Sequence, residues 1–175
     1  TAGLSKEGSG TLVLTNNSNT YTGATAVKNG TLSISNMGQL GASTSTVGVF
    51  GVSSLGWAGG TLLLQGGTAA GTGLTFNRNL SLSGRGSNTF GTSLQSIGNN
   101  TITGNIVTSS ITETRLAATG GTTIINGNVQ LGTADIGQII YGNGNVVING
   151  LITGGTSGQI HLVKTTSGIV STLTL

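Results

Sequence analysis

The chain has 175 residues, with 33 glycines, 35% hydrophobic residues, 5% charged residues and a formal net charge of +3. This length is enough for one domain with a sizeable core, and aliphatic residues spread along a weakly charged chain are unlike a disordered protein. The absence of cysteine excludes disulfides and thiolate metal sites. No apolar run approaches the ~18 residues of a transmembrane helix, so we expect no membrane insertion by this segment.

The positive charge is scattered along the chain and does not form a basic cluster. The six cations are Lys6, Lys28, Arg78, Arg85, Arg115 and Lys164. A nucleic-acid site needs a basic stripe, usually with aromatic side chains that stack on bases. We therefore expect no nucleic-acid partner.

The predicted elements are short strands separated by turns. Helical periodicity is nearly absent, because glycine interrupts almost every candidate window. Runs of about five residues alternate apolar and polar side chains or are continuously apolar. In chain order they are Thr11–Thr15, Thr31–Ser35, Thr61–Gln65, Leu80–Gly84, Thr101–Val107 and Gln159–Val163. Pairs such as Asn29-Gly30 lie between them and favour turns, because both residue types accept positive φ.

Internal repetition indicates that these strands stack in a coil. A shift of about 23 residues superposes three apolar columns and a polar column at Thr103, Asn126 and Asn149. The apolar columns are Ile102, Ile125 and Ile148; Ile106, Val129 and Ile152; and Leu116, Ile139 and Leu162. In a solenoid each residue lies above its counterpart one turn earlier, which a sandwich of hairpins does not require. A turn of ~23 residues fits three strands and three bends, so the chain is predicted to be an all-β parallel β-helix of roughly seven to eight rungs.

The N-terminal half is less regular than the C-terminal half. Gly-Thr-Leu recurs at Gly10, Gly30 and Gly60, and the second spacing is half as long again as the first. The segments Ala42–Gly56 and Gly66–Gly73 are predicted to bulge as loops. We therefore divide one β-helical segment, residues 1–175, into a motif at 6–41, uneven rungs and loops at 42–73, and regular rungs at 74–175.

The segment Lys6–Gly41 resembles the passenger-associated transport repeat of bacterial autotransporters. Its sequence is KEGSGTLVLTNNSNTYTGATAVKNGTLSISNMGQLG. That repeat reads Lys-x-Gly-x-Gly-Thr-Leu-x-Leu, an Asn-rich bend, Asn-Thr-Tyr-x-Gly-x-Thr-x-Val, then Gly-Thr-Leu and a closing Leu-Gly. The matching residues are Lys6, Gly8, Gly10, Thr11, Leu12, Leu14, Asn19, Thr20, Tyr21, Gly23, Thr25, Val27, Gly30, Thr31, Leu32, Leu40 and Gly41. Thr15-Asn16 replaces the usual Ser-Gly.

The resemblance implies a right-handed β-helical passenger, exported to the outside or the cell surface of a Gram-negative bacterium. From Lys164 onward the chain loosely resembles the opening of a second copy, with Leu173 and Leu175 in the place of the paired leucines. The chain would then be one unit of a longer rod. We expect the export signal and the translocating barrel to lie outside it.

Carboxylates are the first candidates for catalytic groups, because some parallel β-helices cleave polysaccharides with clustered acids. The chain has only Glu7, Glu113 and Asp135. Since Glu113 and Asp135 are close to one turn apart, they could form a pair beside Arg115. The alternative is that they are isolated surface charges, and this interpretation is favoured.

Three other side chains are candidates for site residues. His161 stands between aliphatic neighbours and is predicted to point outward, with no partner placed for it by a motif. Tyr21 is predicted to pack at a rung corner, and Trp57 either covers core at a loop or is an exposed contact residue. No phosphate-binding loop is present. We predict no catalytic, cofactor-binding or metal-binding residue, and hence no enzyme.

Two classes of function follow from these features. The first is a non-catalytic structural or adhesive passenger, a stiff rod for surface display, adhesion or formation of a fibre or biofilm matrix. The alternative is a glycan-binding or glycan-processing β-helix, which would need a groove with aromatics and carboxylates. Expected partners are adjacent repeats or sister copies, end to end or laterally, and a host or matrix surface. An ice-binding threonine array is disfavoured, because the Thr-x-Thr triplets do not recur at the rung period.

Overall fold

The computed structural model describes residues 1–51, 59–69, 71–87, 89–108, 113–132, 138–154, 160–164 and 173–174. Three parallel sheets run along the axis of a coil. Sheet one contains β1 (Leu4–Lys6), β3 (Thr25–Val27), β5 (Val47–Val49), β8 (Leu80–Leu82), β11 (Ile106–Thr108), β14 (Val129–Leu131) and β17 (Ile152–Gly154). Sheet two contains β2 (Thr11–Val13), β4 (Gly30–Ile34), β6 (Gly60–Gln65), β9 (Leu94–Ile97), β12 (Thr114–Thr119), β15 (Gln138–Gly142) and β18 (Ile160–Lys164). Sheet three contains β7 (Leu74–Phe76), β10 (Asn100–Ile102), β13 (Thr122–Ile125), β16 (Asn145–Ile148) and β19 (Leu173–Thr174).

This architecture confirms the predicted parallel β-solenoid. The coil makes about 6 turns of ~23 residues, slightly fewer than the seven to eight rungs predicted. The difference arises from long turns in the first half of the chain. Val47 pairs with Leu80, and Leu62 pairs with Leu94, so these turns use more residues than the regular ones. Described residues that lie outside the sheets in these turns include 66–69 and 83–87.

Successive side chains of a strand alternate in direction, and several three-residue strands of sheets one and three bury their two end residues and direct the middle one outward. In β8, Leu80 and Leu82 are buried while Ser81 is exposed, and β11 repeats this with Ile106, Val107 and Thr108. The predicted strand Thr101–Val107 is divided between β10 and β11 by a corner. Because the chain turns there, its apolar residues face the core from two different sheets.

The core consists of columns of apolar side chains that repeat from turn to turn. In sheet three, Ile102 pairs with Ile125 and Ile125 pairs with Ile148. In sheet one, Ile106, Val129 and Ile152 are stacked in the same way. The buried cluster is continuous and includes Val27, Leu32, Leu62, Leu64, Phe76, Leu80, Leu94, Ile102 and Ile125. Each turn therefore buries its apolar face against the next one.

One predicted column requires correction. Leu116 pairs with Ile140, which in turn pairs with Leu162, whereas Ile139 pairs with Arg115 and His161. The turn from β12 to β15 is one residue longer than the regular period, and the next turn is one residue shorter. The two differences cancel, so Leu116 and Leu162 belong to the column as predicted, but the residue between them is Ile140 and not Ile139. A one-residue shift exchanges inward and outward side chains. Ile140 is accordingly buried, and Ile139 is partly exposed.

The unevenly spaced Gly-Thr-Leu sequences stack on one another in sheet two. Thr11 pairs with Thr31, which pairs with Thr61, and the adjacent leucines follow the same register. Segment 42–56, predicted as a loop, contains β5. In the two turns before β7, the part of the chain described here has no strand in sheet three. A 3₁₀ helix, Met37–Leu40, lies against β7 instead.

Asparagine side chains form a ladder along the corner between sheets three and one. The Asn79 side-chain oxygen accepts from the Asn105 backbone N–H at 2.9 Å, and Asn105 accepts from Asn128 at 2.9 Å. Asn128 accepts from Leu151 at 3.0 Å. The backbone N–H groups at this corner are thus satisfied one turn at a time. Among the described residues, no helix has the length and hydrophobicity needed to cross a lipid bilayer.

Candidate functional site

Lys6, at the end of β1, is buried and donates to three backbone carbonyls. Its Nζ lies 2.8 Å from Glu7 O, 2.6 Å from Gly8 O and 2.9 Å from Asn29 O. An ammonium group has three N–H donors, so all of its hydrogen-bonding capacity is used. Burial lowers the pKa of Lys6, because the charged form has lost water. We call Lys6 and these three carbonyls the lysine cage.

The glycines of the motif surround the lysine cage. Gly30 has φ of 69°, a conformation that L side chains rarely adopt. A Cβ at Gly30 would also clash with the carbonyl oxygens of Gly8 and Gly10 and with the Lys6 ammonium. The Asn29 side chain accepts from the Gly30 N–H at 2.8 Å, which fixes the turn. Motif residues from two successive turns therefore meet at one corner.

A second polar cluster lies in the Asn-rich bend and the 3₁₀ helix. Gln39 is buried, and its side-chain oxygen accepts from Ser35 N at 2.8 Å while its nitrogen donates to Asn17 Oδ1 at 3.0 Å. Asn19 Nδ2 donates to the Gln39 carbonyl at 2.8 Å. The sequence analysis did not single out Gln39. Asn36 and Gln39 form a capping box, and an Asn followed three residues later by a Gln is a pattern that the sequence shows.

Tyr21 lies at the bend before β3. Its hydroxyl is 3.0 Å from Thr25 Oγ1, and its carbonyl accepts from Ala42 N at 3.0 Å. A Cβ at Gly41 would clash with that carbonyl and approach the tyrosine ring. Tyr21 and the closing Leu-Gly of the motif are therefore neighbours in space, although they are separated in sequence.

Arg78 joins this segment to the following turns. Its Nη1 donates to Leu40 O at 3.0 Å and its Nη2 to Gly41 O at 2.7 Å. It thereby satisfies carbonyls at the end of the 3₁₀ helix. The sequence showed Arg78 only as a scattered cation, because no local pattern connects it with residues so far back in the chain.

A loop between β8 and β9 covers the outer face of sheet two, and we call residues 84–87 and 89–93 the strap. The Thr61 hydroxyl accepts from Ser87 N at 2.9 Å and lies 2.5 Å from Thr92 O. The Thr31 hydroxyl is 3.3 Å from Ser87 Oγ. The Tyr141 hydroxyl is 3.0 Å from Phe90 O and burial raises its pKa. The strap thus contacts turns that are several rungs apart.

Of the two carboxylates considered as a pair, only Glu113 lies in the described residues. Glu113 is hydrogen-bonded to both Arg85 and Arg115, and the Arg85 Nη2 lies 3.1 Å from it. Asp135 and Trp57 lie outside the described residues, and of His161 only the backbone pairing with Ile139 is described. Within the described ranges, no group of three or more His, Asp or Glu side chains could hold a metal ion.

Comparison with known proteins identifies the N-terminal segment. Residues 4–34 match the family model of the Passenger-associated-transport-repeat, which confirms the resemblance seen in the sequence. These residues are β1 to β4 with the lysine cage. No curated protein and no solved structure matches the chain. The repeat and the β-solenoid together support an autotransporter passenger segment. The second copy from Lys164 stays a prediction.

Proposed function

We propose that the chain is a non-catalytic, load-bearing rod segment of an exported passenger, displayed outside a Gram-negative cell for adhesion or matrix formation. The observation that carries this proposal is the continuity of sheet two. It begins inside the matched repeat at β2 and continues without interruption to β18. The repeat is therefore one structural unit of the rod and not a separate module. Its polar groups are used for internal hydrogen bonds, as the lysine cage illustrates.

The physical properties of a solenoid suit this role. Each turn contacts only its neighbours, so stability grows as turns are added and the rod can be extended without a new core. The described loops at the corners are short in the second half, where paired residues are one regular period apart. A stack of this kind leaves few extended segments for proteases.

Surface display is tested by labelling intact cells that express the parent protein with an epitope inserted after Gly120. This corner is suitable because Gly120 has φ of 64° and no neighbouring atom near its Cβ position. We expect antibody to label intact cells. Labelling that requires permeabilised cells would refute the export proposal.

For sister copies, we propose lateral contact through the outer face of sheet three. One outward column consists of β-branched residues in register: Thr75, Thr101, Ile124 and Val147. The adjacent column is Thr103, Asn126 and Asn149, and the Asn149 amide donates to Asn126 Oδ1 at 2.9 Å. We call these two columns the uncharged face. The side chains of the uncharged face repeat every ~4.8 Å along the coil, so a contact that two chains make at one turn can be made again at the next turn. Because the face carries no charge, two chains can approach each other there without electrostatic repulsion.

Sedimentation velocity over a range of protein concentrations tests this contact. We expect wild-type chain to associate as concentration rises, and Ile124→Lys to weaken the association by placing equal charges on both partners. Val107→Lys is the matched control, because Val107 is 41% exposed but belongs to sheet one. A wild-type chain that is monomeric throughout, or equal effects of the two lysines, would contradict the lateral contact.

A further inference from the structure

Arg78 occupies a corner position that is glycine in each of the next three turns. The equivalent residues are Gly104, Gly127 and Gly150, and a Cβ at each would clash with the backbone of the turn before it. Arg78 has room for a side chain because the preceding turn has the 3₁₀ helix Met37–Leu40 there and no strand. The equivalent residue of the preceding turn is Ser45, since Val47 pairs with Leu80, so the run of glycines starts in the turn after Arg78.

The charge of Arg78 is buried without a carboxylate partner. Its exposed fraction is 7%, and its two hydrogen bonds go to the carbonyls of Leu40 and Gly41. Both carboxylates of the described chain are engaged elsewhere: Glu7 pairs with Lys28, and Glu113 pairs with two other arginines. Burial lowers the pKa of Arg78 below its usual value. A buried cation in this situation gains free energy when an anion is supplied.

Arg78 differs in this respect from the other buried cation. The three donors of Lys6 are all used in the lysine cage, whereas a guanidinium has five N–H donors and Arg78 uses two of its nitrogens for carbonyls. Arg78 also lines a surface pocket of about 290 Å³, together with Met37, Gly38, Gly41, Ser43, Thr44 and Asn77. The pocket thus combines a guanidinium group, only two of whose N–H groups are bonded to carbonyls, with hydroxyl and amide groups.

We propose that this pocket binds a single acidic sugar unit, a uronic or sialic acid residue of a polysaccharide, with its carboxylate on Arg78 and its hydroxyls on Ser43, Thr44 and Asn77. The planar guanidinium fork matches a carboxylate in geometry. The volume is at the lower end of ligand pockets, about 300–1,000 Å³, which suits one sugar ring and not a chain. The Ser43 hydroxyl accepts from Ser45 N at 3.0 Å, so its own proton can be donated to a ligand. The site consists of Arg78 and the residues of its pocket, so the inference does not depend on whether the chain is a rod segment of an exported passenger.

The test is an NMR titration of the full 175-residue chain with glucuronic acid, and with glucose as the neutral ring of the same size. We expect glucuronic acid to shift the amides of Gly41, Ser43 and Thr44 in a saturable way, and glucose to leave them unchanged. Equal shifts with the two sugars, or none with either, would overturn the proposal. Inorganic phosphate is titrated separately. If it binds as tightly as glucuronic acid, the site is a general anion site and the sugar assignment is wrong.

Two variants locate the binding site. Arg78→Gln keeps a donor for the carbonyls but removes the charge, and we expect affinity for glucuronic acid to fall at least about tenfold. Because that variant could also unfold the corner, Thr44→Glu provides an independent test. Thr44 is exposed, so the fold is retained while the new carboxylate competes for Arg78. Arg85→Gln is the control outside the pocket and should bind as wild type does. Unchanged binding in folded Thr44→Glu would refute the site.

Discussion

Replacing Lys6 by methionine tests whether the lysine cage holds the first two turns together. The substitution keeps an unbranched side chain in a position that is 7% exposed and removes the donor of three hydrogen bonds. Hydrogen bonds from charged groups contribute about 1.5–3 kcal/mol each. Glu7 and Gly8 are exposed, so water can partly replace the hydrogen bonds that their carbonyls lose. Removing the ammonium also removes the free-energy cost of burying its charge, so the net loss of stability is smaller than the sum of the three bonds. We therefore expect a loss of about 2–4 kcal/mol, mostly from the carbonyl of Asn29.

The loss should be local, because turns of a solenoid are coupled mainly to their neighbours. Hydrogen exchange measured by NMR is the suitable assay. The amides of Lys28 and Thr31, which bond to Lys6 O and Gly10 O, should exchange roughly 30- to 1,000-fold faster. The amide of Val129, bonded to Leu151 O, should be unaffected.

Lys28→Met is the matched control at the same corner. Lys28 is an exposed lysine 2.8 Å from Glu7, with 54% of its side chain accessible. An exposed ion pair contributes about 1 kcal/mol or less. If Lys6→Met and Lys28→Met change exchange at the first two turns equally, the cage does not have the role assigned to it. The same conclusion would follow if protection were lost uniformly along the chain.

Three further predictions concern backbone, pH and core. Gly30→Ala should cost at least about 3 kcal/mol in urea unfolding, because strain and clash combine, whereas Gly120→Ala, at a similar φ in open space, should cost about 1–2 kcal/mol; equal costs would show that the clash is relieved. Burial raises the pKa of Tyr141, so the folded chain keeps a proton that the unfolded chain loses above pH ~10, and stability should fall as pH rises beyond that value. Tyr141→Phe should remove this part of the slope between pH 9 and 11, and an identical slope would contradict the assignment. Ile125→Ala should cost about 2–5 kcal/mol against less than ~0.5 for exposed Val107→Ala, and similar losses at both positions would argue against the stacked core.

The regular half of the fold was readable because its period is constant. Ile102, Ile125 and Ile148 are evenly spaced along the chain, and the structure stacks them in one column. Ile139 shows the limit of this reasoning. An extra residue before β15 is compensated in the next turn, so periodicity locates the ends of the column but not its middle member.

The motif was readable as a set of residues but not as a site. Lys6 and the glycines around it match a repeat, yet nothing local indicates that the ammonium meets three carbonyls from two turns. Gln39 was within reach through its capping box with Asn36. The role of Arg78 could not be predicted, because Leu40 and Gly41 are distant from it in sequence and the stacking of turns alone brings them together.

The sequence by itself determined the repeating chemistry of this protein: alternating aliphatic residues, Asn and Gly at the corners, few charges and a transport repeat at its start. Those features follow from local rules, since strands need alternation and corners need residues that accept unusual φ. Only the tertiary structure decided which turns are long, that a strap covers sheet two, and that Arg78 lies buried beside a pocket. These depend on the register between turns, and one inserted residue changes the register without leaving a trace in the local pattern.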